Sequence, residues 1–257
     1  MKKMLSNENT ISAKSPEELR LMTEGGAKLG KIKARLKEEI KEGVSAGAID
    51  KLADKLIKES GGTPSFKKVR DYQWATCVNV NEGIVHGIPK STIIFKKGDV
   101  VSVDVGLFYK GFHTDTSVTV GLGVDHKTSN FLDLGRAALK NAISKAKVGN
   151  RIYDISEAIE TTLAKGNLTP VKALVGHGIG KSLHEDPQIP CYASGDKNNS
   201  PIIPEGACLA IEVMYSFGNC DIALEDDGWT IVTADGKLSA LFEETVIVSE
   251  KGPIVIT

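Results

Sequence analysis

The stretch Gly98-Asp-Val-Val-Ser-Val-Asp104-Val-Gly-Leu-Phe-Tyr109-Lys-Gly-Phe-His-Thr-Asp115-Thr-Ser-Val-Thr-Val120 decides the fold. Val101, Val103 and Val105 alternate with Ser102, Asp104 and Gly106, the two-residue period of a strand. Tyr109-Lys110-Gly111 reads as a turn and Phe112–Val120 as the returning strand of a hairpin. Two registers are open. With Tyr109-Lys110 turning, Asp104 and Asp115 are directly opposed, their Cβ atoms roughly 5 Å apart. With Lys110-Gly111 turning they are diagonal neighbours on the same face. In either register two carboxylates share one face, which destabilises a sheet unless something cationic lies between them.

Two further acids occupy apolar runs: Glu212 in Ala207-Cys-Leu-Ala-Ile-Glu-Val-Met214 and Glu243 in Leu241-Phe-Glu-Glu-Thr-Val-Ile-Val248. Carboxylates are rarely buried alone, and four converging without a cation would cost many kcal/mol or become protonated. Two divalent cations remove that conflict, +4 against −4. Three histidines sit among glycines or prolines, in contexts that read as loops: Val85-His86-Gly-Ile-Pro89, Gly176-His177-Gly-Ile-Gly180 and Leu183-His184-Glu-Asp-Pro187. Small neighbours let backbone approach a ligand closely. His113 and His126 read as structural. Carboxylates joined by an imidazole suit manganese, iron, cobalt or zinc better than calcium, which prefers oxygen alone.

Around this centre the chain repeats itself. Ser15-Pro16-Glu17-Glu18 has the form of a capping box, and Leu19, Met22, Leu29, Ile32, Leu36 and Ile40 follow at helical spacing. A second helix carries Ile49, Leu52, Ala53, Leu56 and Ile57, a third spans 130–147, and a fourth carries Ile155, Ala158, Ile159 and Leu163. A shift of 106 residues superposes Gly43, Ile49, Ala53 and Ile57 on Gly149, Ile155, Ile159 and Leu163. A shift of 108 lays Gly98–Asp104 over Gly206–Glu212. The expectation is a duplicated α+β architecture whose halves share one core, since no Pro/Gly/Ser-rich linker parts them. Residues 1–14 read as a tail and 15–257 as a single catalytic domain.

Composition narrows the function. Hydrophobic residues make up 41% and charged residues 25% of the 257, an ordinary globular balance. With 32 basic and 33 acidic residues the net charge is −1, which argues against a dedicated nucleic-acid binder. No run approaches the roughly 18 apolar residues of a membrane span, and the start lacks the apolar run of a signal peptide. Cys77, Cys191, Cys208 and Cys220 form no C-x-x-C pair. A cytoplasmic protein is expected. Gly25-Gly-Ala-Lys-Leu-Gly30-Lys31 falls one place short of a P-loop, with Ile32 where Ser or Thr is needed. His184-Glu185 falls short of a zincin motif, with Gln188 in place of the second histidine.

Asn81-Glu-Gly-Ile-Val-His86-Gly-Ile-Pro89, Asp104 with Asp115, Gly176-His177-Gly-Ile-Gly, His184-Glu-Asp-Pro, Ile211-Glu212 and Phe242-Glu243 together resemble the motif series of the methionine aminopeptidase family. The resemblance runs from about Ser15 to the end of the sequence. It implies the duplicated pita-bread fold, with two pseudo-symmetric halves around a central antiparallel sheet. Asp227-Gly-Trp229-Thr and Ser239-Ala-Leu-Phe-Glu243 resemble the type I enzymes in particular. The short stretch between His184 and Glu212 leaves no room for the helical insertion of type II, and no zinc-finger extension precedes the core.

Carried over residue by residue, the resemblance implies that Asp115 and Glu243 bridge two metal ions. Asp104 would hold the first ion, and His177 with Glu212 the second. It also makes Glu212 the general base, has His184 stabilise the oxyanion, and places His86 at the scissile amide nitrogen or the leaving amine. Tyr72, Cys77, Leu183 and Trp229 match the family's methionine pocket. The implied substrate is the N-terminal methionine of a nascent chain whose second residue is small. The His86 loop with Ile88-Pro89 is the candidate for the wall that excludes large second residues. A monomer is expected, with docking on ribosomes open. Val213, Leu241 and Glu244 depart from the family's usual Pro, Gln and His, which bears on metal affinity and substrate range. The alternatives are an Xaa-Pro aminopeptidase or prolidase of the same fold and a non-catalytic pita-bread binding protein.

Overall fold

The computed structural model describes residues 11–219 and 221–257; Cys220 and the first ten residues of the expected tail lie outside them. Helix α1 (Pro16–Glu39) starts as its capping box predicts: Ser15 Oγ accepts from Glu18 N, and Glu18 Oε2 accepts from Ser15 N at 2.8 Å. The P-loop-like glycines lie inside this helix and serve packing. A Cβ on Gly26 would fall 2.5 Å from the Ile256 carbonyl oxygen. Helix α2 (Ala46–Glu59) follows, capped by Ser45. After it come β1 (Thr63–Pro64), a 3-10 turn at Phe66–Lys68, β2 (Thr76–Val80) and β3 (Gly83–Val85).

The opening stretch forms β4 (Val100–Tyr109) and β5 (Phe112–Gly121). Lys110 and Gly111 make the turn, both at positive φ (47° and 93°), as a two-residue hairpin loop of the primed type requires. The second register therefore holds: Asp104 faces Ser117 and Gly106 faces Asp115, leaving the two aspartates diagonal on one face.

Helix α3 (His126–Lys145) begins before the expected Asn130, because Asp125 caps it by accepting from Thr128 N at 2.8 Å. Then come α4 (Ile152–Ala164), β6 (Thr169–Pro170), β7 (Val175–Gly178), β8 (Glu185–Pro190) and β9 (Cys208–Ser216). The chain closes with β10 (Ile222–Leu224), β11 (Ile231–Thr233), β12 (Ser239–Ser249) and β13 (Gly252–Val255).

Among the described residues ten strands form one sheet in the order β1-β4-β5-β12-β9-β7-β8, with β2 beside β4, β6 beside β9 and β13 beside β12. The duplication is visible in detail. Thr63-Pro64 flanks β4 as Thr169-Pro170 flanks β9. The Ser45–Ile94 bridge is repeated by Arg151–Ile202, and the Gly43 N to Phe95 O bond by Gly149 N to Ile203 O. Buried apolar side chains form a cluster under α1 and α2, one under α3 and α4 that also takes in Ile84, Val85 and Val100, and a third that joins Met22, Tyr72 and Cys77 of one half to Leu183, Cys208 and Ala210 of the other. One continuous sheet with helix pairs gives each half its own apolar layer. A separate three-stranded sheet, β10-β11-β3, stands beside the large one. No described helix is long and apolar enough to cross a membrane.

Candidate metal centre

Strand register lines the acids up. Cys77 on β2 faces Asp104, Asp104 faces Ser117, Ser117 faces Glu243 and Glu243 faces Glu212, a straight row across five strands. Asp115 stands two residues before Ser117 and so shares its face. His177 faces Ala210, two residues before Glu212, and joins the same face. Sequence reasoning expected His177 in a glycine-rich loop; it lies in strand β7. Its glycines let β7 fit between neighbours, since a Cβ on Gly176 would meet Ala210 O at 2.7 Å and one on Gly178 would meet Asp186 O at 2.1 Å.

Ligating atoms of Asp115, His177 and Glu243 all lie within 4.8 Å of one another, and all three residues are buried. Asp104 and Glu212 flank this trio in the row. Burial pushes all four carboxyls above the usual carboxylate range. The charges of Asp104 and then Glu212 add to the effect at Asp115, Asp104 adds to it at Glu212, and Asp115 is the next cause at Glu243. Burial also lowers His177 to about 4, so its imidazole is neutral. Its Nδ1 lies 2.8 Å from Gly178 O, which holds the proton on Nδ1 and leaves the Nε2 lone pair free. Asp104 Oδ1 is buried with no hydrogen-bond partner. Four acids held against their own repulsion, an orphaned carboxylate oxygen and a neutral imidazole fit divalent cations.

A cavity of about 140 Å³ brings the predicted residues together: Tyr72, Cys77, His86, Leu183, His184 and Trp229 line it along with Asp104, Asp115, His177, Glu212 and Glu243. The Tyr72 hydroxyl donates to Thr76 O at 2.9 Å and lies 3.2 Å from Cys77 Sγ, turning the ring's apolar face inward. Trp229 meets Tyr72 edge-on, ring centroids 5.0 Å apart, and its loop is held by Asp227, which accepts from Trp229 N, Thr230 N and Lys90 Nζ. Burial raises the Cys77 thiol well above its ordinary value, so it is an uncharged wall. His184 stands edge-on to His177 at 4.4 Å between centroids, on the exposed side. A larger vestibule of about 880 Å³ shares His86, His177, His184 and Glu212 with the cavity and leads outward past Gln188 and Met214.

His86 follows β3 at φ 58°, in the left-handed region that a non-glycine residue seldom adopts. A bulge in β11 at Ile231/Val232 lies beside it, and Gly87 pins the loop by donating to Asn79 Oδ1 at 2.9 Å. Burial lowers its pKa. Of the His86 loop, Val85 and His86 line this cavity, while Ile88 and Pro89 are buried and outside its lining. Phe66 and Val69 also line it and were missed, because a 3-10 turn carries no periodic signal. His113 is structural as expected, bonded through Nδ1 to Ser65 Oγ at 2.9 Å, and His126 opens α3. Glu244 turns to the helix side, 2.5 Å from Lys33 Nζ.

Comparison with known proteins agrees with this geometry. The profile of metallopeptidase family M24 matches residues 20–250. Methionine aminopeptidase 1 of Bacillus subtilis is 39% identical over 248 residues, covering 96% of this chain and 99% of the relative. The crystal structure of methionine aminopeptidase from Thermotoga maritima superposes with a TM-score of 0.93 at 37% identity, covering 96% of this chain and 99% of that one. Prolidase from Pyrococcus furiosus, at 21% identity and TM-score 0.75 over 95% of this chain and 65% of its own, shares the fold alone. A pita-bread sheet, a buried acid cluster suited to divalent metal and these relatives agree: the chain belongs to metallopeptidase family M24, among its methionine aminopeptidases.

Proposed function

We propose that this hydrolase removes the N-terminal methionine of new polypeptides whose second residue is small, using two divalent ions. The carrying observation is a cavity lined on one side by the row of acids and His177 and on the other by Phe66, Tyr72, Cys77, Leu183 and Trp229, which suits an enzyme that holds one apolar side chain at a chain end. In this reading Asp115 and Glu243 would serve both ions, Asp104 would hold one, and His177 and Glu212 would hold the other. Asp104 and Glu212 stand three strands apart, about 14 Å between backbones at ordinary strand spacing, which favours two ions over one. Cobalt, manganese, iron and zinc all suit the donor set. Residues 15–257 act as one catalytic domain, a cytoplasmic monomer working on chains as they leave the ribosome.

When bound, the ions supply Lewis acidity and lower the pKa of water toward neutrality. The chain's own residues do the rest. Tyr72, Cys77, Leu183 and Trp229 receive the methionine side chain, whose thioether suits an apolar, sulfur-lined wall. Glu212 takes the proton from the attacking water and returns it to the leaving amine. His184 hydrogen-bonds the carbonyl oxygen as charge develops there. His86 meets the scissile amide nitrogen from the other side.

Met-Ala-Ser and Ala-Pro peptides offered side by side test the reading. Cleavage of Met-Ala-Ser is expected, and cleavage of Ala-Pro alone would make the protein an Xaa-Pro peptidase. His86→Ala and His184→Ala are expected to keep full metal occupancy and lose on the order of 10²-fold or more in kcat. Metal analysis of the purified variants checks this, since loss of ions from either would move that histidine into the ligand set.

A further inference from the structure

The two halves of the sheet are joined unlike any other pair of long strands in it. Strands β4 and β5 form a ladder of ten residue pairs and β9 and β12 one of nine, yet β5 and β12 pair only at Ser117 and Glu243. Threonine hydroxyls take over the missing ladder. Thr245 Oγ1 accepts from Asp115 N at 2.9 Å and donates to Asp115 O at 2.7 Å. Thr116 Oγ1 donates to Glu243 O at 2.8 Å, and Thr119 Oγ1 donates to Leu241 O. Lys33 Nζ lies 3.0 Å from Thr116 Oγ1 and also binds Glu244. An ammonium only donates, so it leaves the Thr116 proton to acceptors on β12, Glu243 O at 2.8 Å and, farther off, Glu244 Oε2 at 3.2 Å.

Two of these links end on the backbones of Asp115 and Glu243 themselves. We propose that Thr245 and Thr116 are positioning residues that set the gap between the Asp115 and Glu243 carboxylates across this seam. The inference rests on the reading of those two acids as ligands shared by both ions. Each acid is fixed within its own half by a full ladder, so the seam is the one place where their separation is adjustable. A hydroxyl standing between two backbones spaces the strands by a side-chain link, where an amide–carbonyl bond would draw them to 4.7–4.9 Å. A shared pair of carboxylates needs that freedom, since ions in two-metal sites stand about 3.5–4 Å apart.

The test uses the full-length chain with Thr245→Val, Thr245→Ser, Thr116→Val and Thr119→Val. Mn(II) titration calorimetry of the metal-free proteins is read beside kcat and KM for Met-Ala-Ser. Thr245→Val should weaken the weaker Mn(II) step about tenfold or more, the scale of losses on removing groups that orient metal ligands. Its kcat should fall in proportion while KM stays within about threefold, and Thr245→Ser, which keeps the hydroxyl, should restore both. Thr116→Val should shift Mn(II) binding the same way and carries the test if Thr245→Val does not fold. Thr119→Val removes the same kind of link away from the ligands, so it should lower Tm without weakening Mn(II). Wild-type Mn(II) affinity in folded Thr245→Val and Thr116→Val, a folded Thr245→Ser as impaired as Thr245→Val, or equal weakening by Thr119→Val would each overturn the proposal. Asp115→Asn separates the two readings: if it too binds two Mn(II) normally, the ligand assignment has failed; if it alone loses them, the seam proposal has.

Discussion

Asp115→Asn and Glu243→Gln are expected to lose turnover and tightly bound metal together, with kcat down on the order of 10³-fold or more, beyond the loss of one transition-state hydrogen bond. The expectation follows from where these acids sit. Both are buried, both lie with His177 inside one 4.8 Å cluster, and each has another acid as neighbour, Glu212 directly opposite Glu243 and Asp104 diagonal to Asp115. On the proposed ligand set, removing one charge would take a shared donor from both ions, so occupancy and rate should fall as one. The same change has the opposite effect on the metal-free protein. There the acids repel and are pushed toward protonation by burial, so neutralising one relieves the strain. Metal-free Asp115→Asn should therefore melt no lower than metal-free wild type at pH 8. Metal should raise Tm in the wild type and hardly at all in the variant. Near-complete two-ion occupancy with full activity in either variant would sink the assignment.

Peptides Met-X-Ser should divide sharply by the size of X. With the α-amine at the ions and the methionine in its cavity, the scissile bond is fixed at both ends. The second side chain would then lie toward the vestibule, whose lining shares Val85 and His86 with the methionine cavity. That wall has little room to yield. A Cβ on Gly87 would fall 2.3 Å from Val78 O, and the loop is tied to β2 through Asn79 and Val78. A large X must tilt the carbonyl away from the attacking water, and a misplacement of about 1 Å can cost roughly 10²-fold. We expect kcat/KM for X = Gly, Ala or Ser to exceed that for Leu or Lys by at least that factor. A profile flat in the size of X would refute the wall.

The four acids were legible because charge in an apolar run is conspicuous wherever the strand pairs. Helices announced themselves through caps, Ser15 most plainly. The hairpin register stayed open because Lys110, unlike the usual Asn or Asp, does not advertise a positive φ before Gly111. The sheet of β10, β11 and β3 could not be read at all, since three-residue strands are too short for a period to show. The setting of the His86 loop was hidden for a related reason: Ile88 N donates to Thr230 Oγ1 at 3.3 Å, a partner far along the chain that no local pattern announces. The threonine seam was hidden for a third reason. Thr116, Thr119 and Thr245 look like ordinary strand formers, and their partners lie more than 120 positions away.

The unequal ladders also bear on how the molecule comes apart. Each half holds its own helix pair and long ladder, while the β5–β12 boundary between them pairs its backbones at one position and otherwise rests on threonine links and an apolar cluster drawn from both halves. Asp104 and Asp115 come from one half and His177, Glu212 and Glu243 from the other. Ions held as proposed would cross-link the halves, and their binding free energy would add to the cost of parting them. Metal supply would then govern how long the folded chain survives as well as how fast it works.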